Sequence, residues 1–125
     1  MAKLIITEKA PKPVGPYSQA VQVGKFLFVS GQLAIDPKES KIIAKDILSQ
    51  TKQVMENIKA VLEAACYSFK DVVASNVYLS SMELFDEFNT EYAKYFDKEF
   101  PARTTVAAEL KANALIEVSI VAYKE

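Results

Sequence analysis

The chain has fourteen lysines and a single arginine. That arginine is Arg103, in the stretch Phe100-Pro101-Ala102-Arg103-Thr104-Thr105. A guanidinium offers a planar fork of N–H donors that matches a carboxylate in bidentate fashion, which a lysine ammonium does not do. Arg103 follows a proline turn at the start of an extended segment, so its stem has a defined origin. Two readings fit it. It grips the carboxylate of a small ligand, or it forms a structural ion pair with a nearby acid. Glu117 is the second residue of interest. It is the only carboxylate between Glu109 and the terminal Glu125, and it interrupts an apolar run. A carboxylate in an apolar strand is costly unless it is paired or used. Glu117 either holds and activates a water or pairs with Arg103 across neighbouring strands.

Three more places join an open backbone or a polar group to a structural cue. Tyr17 and Ser18 follow Pro13-Val14-Gly15-Pro16. A tyrosine carried by such a loop covers a small ligand and donates a hydrogen bond, or it simply packs on the surface. Ser30-Gly31 ends a strand pattern, and either meets a small polar ligand or makes an ordinary strand exit. Asn89 follows Phe88 in a helical pattern and is otherwise a plain exposed polar residue.

Composition removes several classes of chemistry. There is no histidine, and Cys66 is the only cysteine. Zinc sites of His or Cys clusters, Ser-His-Asp and Cys-His nucleophiles and two-histidine ribonuclease chemistry are all excluded. An internal disulfide is excluded as well. Cys66, near the end of a helical pattern, reads as a small core residue. The net charge of -1 implies no strong field for nucleic acid or membrane. No apolar run has membrane-spanning length and no secretory signal opens the chain, so a cytoplasmic location is expected. The 125 residues read as one domain, 1–125.

These residues need elements to position them. Residues 4–7 read as a short strand. A loop with three prolines follows, and then two strands joined at Val23-Gly24-Lys25. In the second of these, Phe26, Phe28 and Ser30 share one face, and Leu27 and Val29 share the other. The segment Asp36-Pro37-Lys38-Glu39-Ser40-Lys41 reads as a polar loop. From Asp46, which reads as the N-cap, apolar residues recur at steps of three and four for about five helical turns. A strand over Val72–Ser80 comes next. Ser80 to Glu83 fits a capping box that opens a second helix, with the stripe Leu84, Phe85, Phe88, Tyr92, Tyr95 and Phe96. The last two strands, around Arg103 and Glu117, read as an antiparallel pair. The order β-β-β-α-β-α-β-β predicts an α+β fold: a mixed sheet with two helices on one face. The other face carries Phe, Val and Leu beside Ser, Arg and Glu, and calls for a partner subunit.

Five stretches together resemble a known family: Gly15-Pro16-Tyr17-Ser18-Gln19-Ala20-Val21, Val29-Ser30-Gly31-Gln32, Phe88-Asn89-Thr90-Glu91-Tyr92, Phe100 to Val106 and Ile116-Glu117-Val118. Their order and spacing over almost the whole chain resemble the RidA (YjgF/YER057c/UK114) family. The resemblance implies a Bacillus chorismate mutase-like fold and a homotrimer with ligand clefts between subunits. It implies hydrolysis of reactive 2-enamine and 2-imine acids (2-aminoacrylate/2-iminopropanoate and 2-iminobutanoate) to 2-keto acids and ammonia. On this resemblance Arg103 falls on the family's substrate arginine and Glu117 on its water-positioning glutamate. Tyr17, Ser30, Gly31 and Asn89 fall on cleft-lining positions, and the backbone near Thr105 helps orient the water. No metal and no organic cofactor is implied, because an imine carbon is already electrophilic. Two departures stand out. Thr105 replaces a cysteine frequent in the family, which removes any thiol role there. The segment between Arg103 and Glu117 is one residue shorter than in familiar members. Two other classes remain open. One is an RNA-directed role of the endoribonuclease or translation-inhibitor type, against which the charge and the missing histidine count. The other is a non-catalytic trimer that binds a small carboxylate.

Overall fold

The computed structural model describes residues 2–125. Its strands are β1 (Lys3–Ile5), β2 (Ala20–Val23), β3 (Phe26–Gln32), β4 (Ile35–Asp36), β5 (Lys41–Ile42), β6 (Val72–Leu79), β7 (Ala102–Ala107) and β8 (Ile116–Tyr123). Its helices are α1 (Ile47–Ala64) and α2 (Phe85–Tyr92). Six strands make one sheet in the order β1-β2-β3-β8-β6-β7, and β4 and β5 form a small hairpin whose turn, residues 37–40, is the middle of the expected polar loop.

Period-two alternation sorts the sheet into two faces. In β8, Ile116, Val118, Ile120 and Ala122 are buried, and Glu117, Ser119, Val121 and Tyr123 between them are half-exposed. In β3, Leu27 and Val29 go inward and Phe26 and Phe28 outward, as expected. The inward residues meet Val54, Met55, Ile58, Val61 and Leu62 of α1, which recur at helical spacing and are fully buried. Truncating one of them, as in Leu62→Ala, costs about 2–5 kcal/mol. The mixed sheet with two helices on one face is the architecture expected. Among the described residues, no helix is long and apolar enough to cross a membrane.

Helix α1 starts where the sequence predicts. The Asp46 carboxylate accepts a hydrogen bond of 3.0 Å from the Ser49 backbone N–H. That bond, with help from the Ser49 hydroxyl, holds the Asp46 pKa below its ordinary value. Past the helix end, Cys66 adopts a left-handed backbone (φ 65) and is exposed, so it is not the core residue expected.

The second helix opens differently from the expected capping box. Ser81, not Ser80, is the cap: its Oγ accepts from the Glu83 N–H at 3.1 Å and starts a 3-10 turn over Met82–Leu84 that leads into α2. A true capping box occurs instead at Ser68 and Asp71, ahead of β6.

The last two strands are not an antiparallel pair. β7 pairs in parallel with β6, and β8 lies between β3 and β6, antiparallel to both. The physical reason is the crossover. Parallel neighbours need a long connection, usually helical, and α2 supplies one between β6 and β7. β8 then fills the central position, and β7 becomes a sheet edge.

Candidate active site

The sequence-predicted residues fall into two groups on opposite faces of the sheet. The first group is built on an irregularity in β3. Val29 pairs with Ile120 and Gln32 with Val118, so Ser30 and Gly31 together oppose the single residue Ser119. This two-against-one bulge interrupts the ladder and re-aims the chain. Glu117 folds into the space so opened. A β-carbon placed on Gly31 would lie 2.9 Å from Glu117 Cδ, 3.2 Å from its Cγ, and closer still to Oε2. Glycine is required here for space, since Gly24 is the glycine with a positive φ.

Ser30 is held by the strand entering β2. Its N–H donates to the Gln19 carbonyl (3.0 Å), and its hydroxyl donates to the Ser18 carbonyl (2.5 Å). Its proton is therefore committed, and only the lone pairs of Oγ remain for a ligand. Tyr17, half-exposed, accepts at its hydroxyl from the Val14 N–H (3.4 Å). Tyr17, Ser30, Gly31 and Glu117 line one groove of about 560 Å³, with Lys12 and Lys111 also in its wall. Lys111 is presented by a turn in which Ala112 (φ 56) and Asn113 (φ 55) are both left-handed, a conformation that costs non-glycine residues energy.

The second group centres on Arg103. In the parallel register Arg103 faces Ser75 and Thr105 faces Val77, so both point toward the helix layer. The guanidinium carbon lies 5.0 Å from the Tyr92 ring centre, 5.2 Å from Phe88 and 5.6 Å from Phe85. Each ring attracts the cation through its negative face. The Tyr92 hydroxyl shares a buried hydrogen bond of 2.7 Å with Ser75 Oγ. Burial raises the Tyr92 pKa, and the Ser75 bond and the Arg103 charge act against that rise. A hollow of about 360 Å³ is lined by Asn89, Tyr92, Ala93, Phe100, Pro101 and Arg103.

Among the described residues, no acid lines this hollow. Among the described residues the ion pair present is Lys94–Glu91 (3.0 Å), so the expected alternative, an Arg103–Glu117 pair across strands, does not form. β6 separates the two strands, and Glu117 stands opposite Tyr78 on the open face. Two polar atoms near Arg103 are buried without a hydrogen-bond partner: Asn89 Oδ1 and Thr105 Oγ1. Within one chain, then, Asn89 joins Arg103, Thr105 follows on the same strand face, and the other four residues gather in the groove.

Sequence reasoning missed the walls of both places. Phe85, Phe88 and Tyr92 read correctly as a helical stripe, but nothing local said that an arginine would lie on it. Lys12 and Lys111 are distant in sequence and look like surface lysines. Gln19 was visible only as a letter in a motif.

Comparison with known proteins places the whole chain. Residues 7–124 match the family described as Endoribonuclease L-PSP. The chain is 52% identical over 126 residues to RutC family protein PH0854 of Pyrococcus horikoshii, with 100% of both chains covered. It is 38% identical over 117 residues to the 2-iminobutanoate/2-iminopropanoate deaminase of Dermatophagoides farinae, covering 93% of this chain and 91% of that one. It superposes on the crystal structure of E. coli TdcF with bound serine at a TM-score of 0.93 and 31% identity, over 98% of this chain and 99% of that one. With its sheet, its two helices and its motifs in the same order, the chain belongs to the Endoribonuclease L-PSP family, the RidA (YjgF/YER057c/UK114) family that its sequence resembles.

Proposed function

We propose that this protein hydrolyses 2-imine acids to 2-keto acids and ammonia, in a site assembled from two copies of the chain. The observation that carries the reading is the division of the site. On one face an arginine caged by three aromatic rings has no acid partner among the described residues, and on the other a carboxylate is packed into a glycine bulge. Rings that cover the flanks of a guanidinium leave its edge for a bidentate carboxylate. The groove has its own carboxylate and two lysines, Lys12 and Lys111, but no planar fork to hold a substrate acid in bidentate fashion. A second copy supplies what each half lacks. The relative named as an imine deaminase and the neighbour holding serine agree in chemistry with a small amino-acid-like substrate.

In this reading the enamine acid first tautomerises to the imine. Arg103 of one copy takes the substrate carboxylate and fixes C2 over the groove of the next. Glu117 orients a water and accepts its proton as the oxygen bonds to C2. Glu117 passes that proton to the imine nitrogen, giving the carbinolamine. The carbinolamine hydroxyl then loses its proton to nitrogen and becomes the carbonyl as the C–N bond breaks, so ammonia departs and the keto acid remains. Tyr17 covers the groove, and Ser30 offers its lone pairs. The apolar residues Phe26, Phe28 and Val106, exposed on the open face, provide surface for a homotrimer.

The test couples a threonine dehydratase to the protein and follows release of 2-oxobutanoate. Wild type should speed release, and Arg103→Ala should behave like buffer. If wild type also behaves like buffer, the reading is wrong.

A further inference from the structure

We infer that Gln19 is a positioning residue for the groove: its side-chain amide ties the proline-rich wall that carries Tyr17 to the sheet that carries Glu117. The inference rests on the function proposed above.

The β1–β2 ladder pairs Lys3 with Gln22, Leu4 with Val21 and Ile5 with Ala20, and there it stops. The chain beyond contains Pro11, Pro13 and Pro16, which have no N–H to continue it. The Gln19 side chain takes over as the next rung. Its Oε1 accepts from the Thr7 N–H at 2.8 Å, and its Nε2 donates to the Thr7 carbonyl at 3.0 Å. That is the donor and acceptor pair a facing peptide would offer. The same Nε2 donates to the Pro11 carbonyl at 2.9 Å and reaches the Ala10 carbonyl at 3.3 Å. Two N–H groups thus serve three carbonyls, with one proton shared. Gln19 is 3% exposed, so no water replaces these bonds.

The backbone of the same residue reaches the floor of the groove. The Gln19 carbonyl accepts from the N–H of Ser30 (3.0 Å), the first residue of the bulge under Glu117. One residue therefore joins Pro11 in the wall to Ser30 in the floor. The bonds Tyr17 makes, to Val14 N–H and Gly15 carbonyl, both stay inside the loop. They shape the wall without fixing its distance from the sheet. An apolar residue at 19 would fill the volume and leave the Thr7 and Pro11 groups unpaired, which favours movement of the wall into water.

The test uses Gln19→Met, which keeps the length and loses the bonds, and Gln19→Glu, which keeps the acceptor and loses the donors at neutral pH. Tyr67→Phe is the control: it removes a hydrogen bond to the Lys25 carbonyl (2.9 Å) away from the groove. All are studied well below their melting temperatures, with imines generated by an amino-acid oxidase. Gln19→Met should lose about tenfold in kcat/KM, and amide exchange in residues 10–17 should accelerate. Tyr67→Phe should lower the Tm and leave kcat and KM as in wild type. Gln19→Glu should regain activity as the pH falls, because the protonated carboxyl donates again. Folded Gln19→Met with wild-type kcat, KM and loop exchange overturns the inference. If loop exchange alone accelerates, Gln19 holds the loop without serving the reaction, and the inference is again overturned. If wild type itself hydrolyses no imine, the proposed function falls first and takes this role with it, an outcome distinct from the other two.

Discussion

Glu117 lies directly over Gly31, in the space that a single methyl group on Gly31 would occupy. The contact joins two strands through the β3 bulge and makes the glycine a condition for the carboxylate's position. Gly31→Ala should therefore displace Glu117 and reduce imine hydrolysis by about tenfold or more. The double variant Gly31→Ala/Glu117→Ala should melt above Gly31→Ala, because removing the carboxylate relieves the clash. Melting temperatures that simply add would show that the two side chains do not compete for this space.

Arg103 and Glu117 point to opposite faces, which gives the proposed two-copy site a clear signature. Arg103→Ala and Glu117→Gln should each be inactive alone. Co-expressed in equal amounts and assembled at random into the proposed trimers, they should recover about a quarter of wild-type activity, since each mixed trimer would hold one site with both native residues. No recovery, in trimers shown by mass spectrometry to be mixed, would mean that the site lies within one chain or that the residues act otherwise.

Thr105 places a buried hydroxyl without a partner on the helix-facing side of β7. A cysteine at this position would carry no comparable need. Thr105→Val keeps the branched shape and removes the orphan oxygen, and should stabilise the protein by about 1 kcal/mol. If the thermal melt instead falls, the hydroxyl has a partner in the assembled protein.

Phe28 is 47% exposed and Phe26 43%, and the Phe26 ring packs against Tyr123 at 4.9 Å between centres. Such a face is the kind that associates. Phe28→Asp should leave the circular dichroism spectrum intact, reduce the mass seen by light scattering to that of a single chain, and abolish imine hydrolysis. An unchanged mass would assign association to another surface.

Asp46 gives a pH test of the α1 cap. Its pKa is lowered in the folded state, first by the Ser49 backbone N–H. A carboxylate lowered on folding stabilises above its ordinary value, and the gain disappears as the pH falls through the lowered one. Asp46→Ala should thus melt below wild type at neutral pH, and the two curves should converge in strong acid. A gap that persists in strong acid would assign the effect to something other than charge.

The sequence by itself determined the elements and their faces. Alternation in Phe26–Gln32 and Ile116–Tyr123 and the helical spacing from Ile47 to Leu62 are local properties, enforced by the need to bury one side of each element. It also marked Arg103, Glu117 and Gly31, because one arginine, one acid in an apolar strand and a glycine at a strand end are anomalies of type and place. What it did not determine was which strands are neighbours. A hairpin between the last two strands looked natural from their closeness in sequence, and the α2 crossover made β6 and β7 parallel neighbours instead. Only that arrangement put Arg103 among Phe85, Phe88 and Tyr92 and left Glu117 on the opposite face over Gly31. Which side chains meet depends on the registers of distant segments, and these are settled by the packing of the whole sheet against its helices, where no single window of sequence holds the answer.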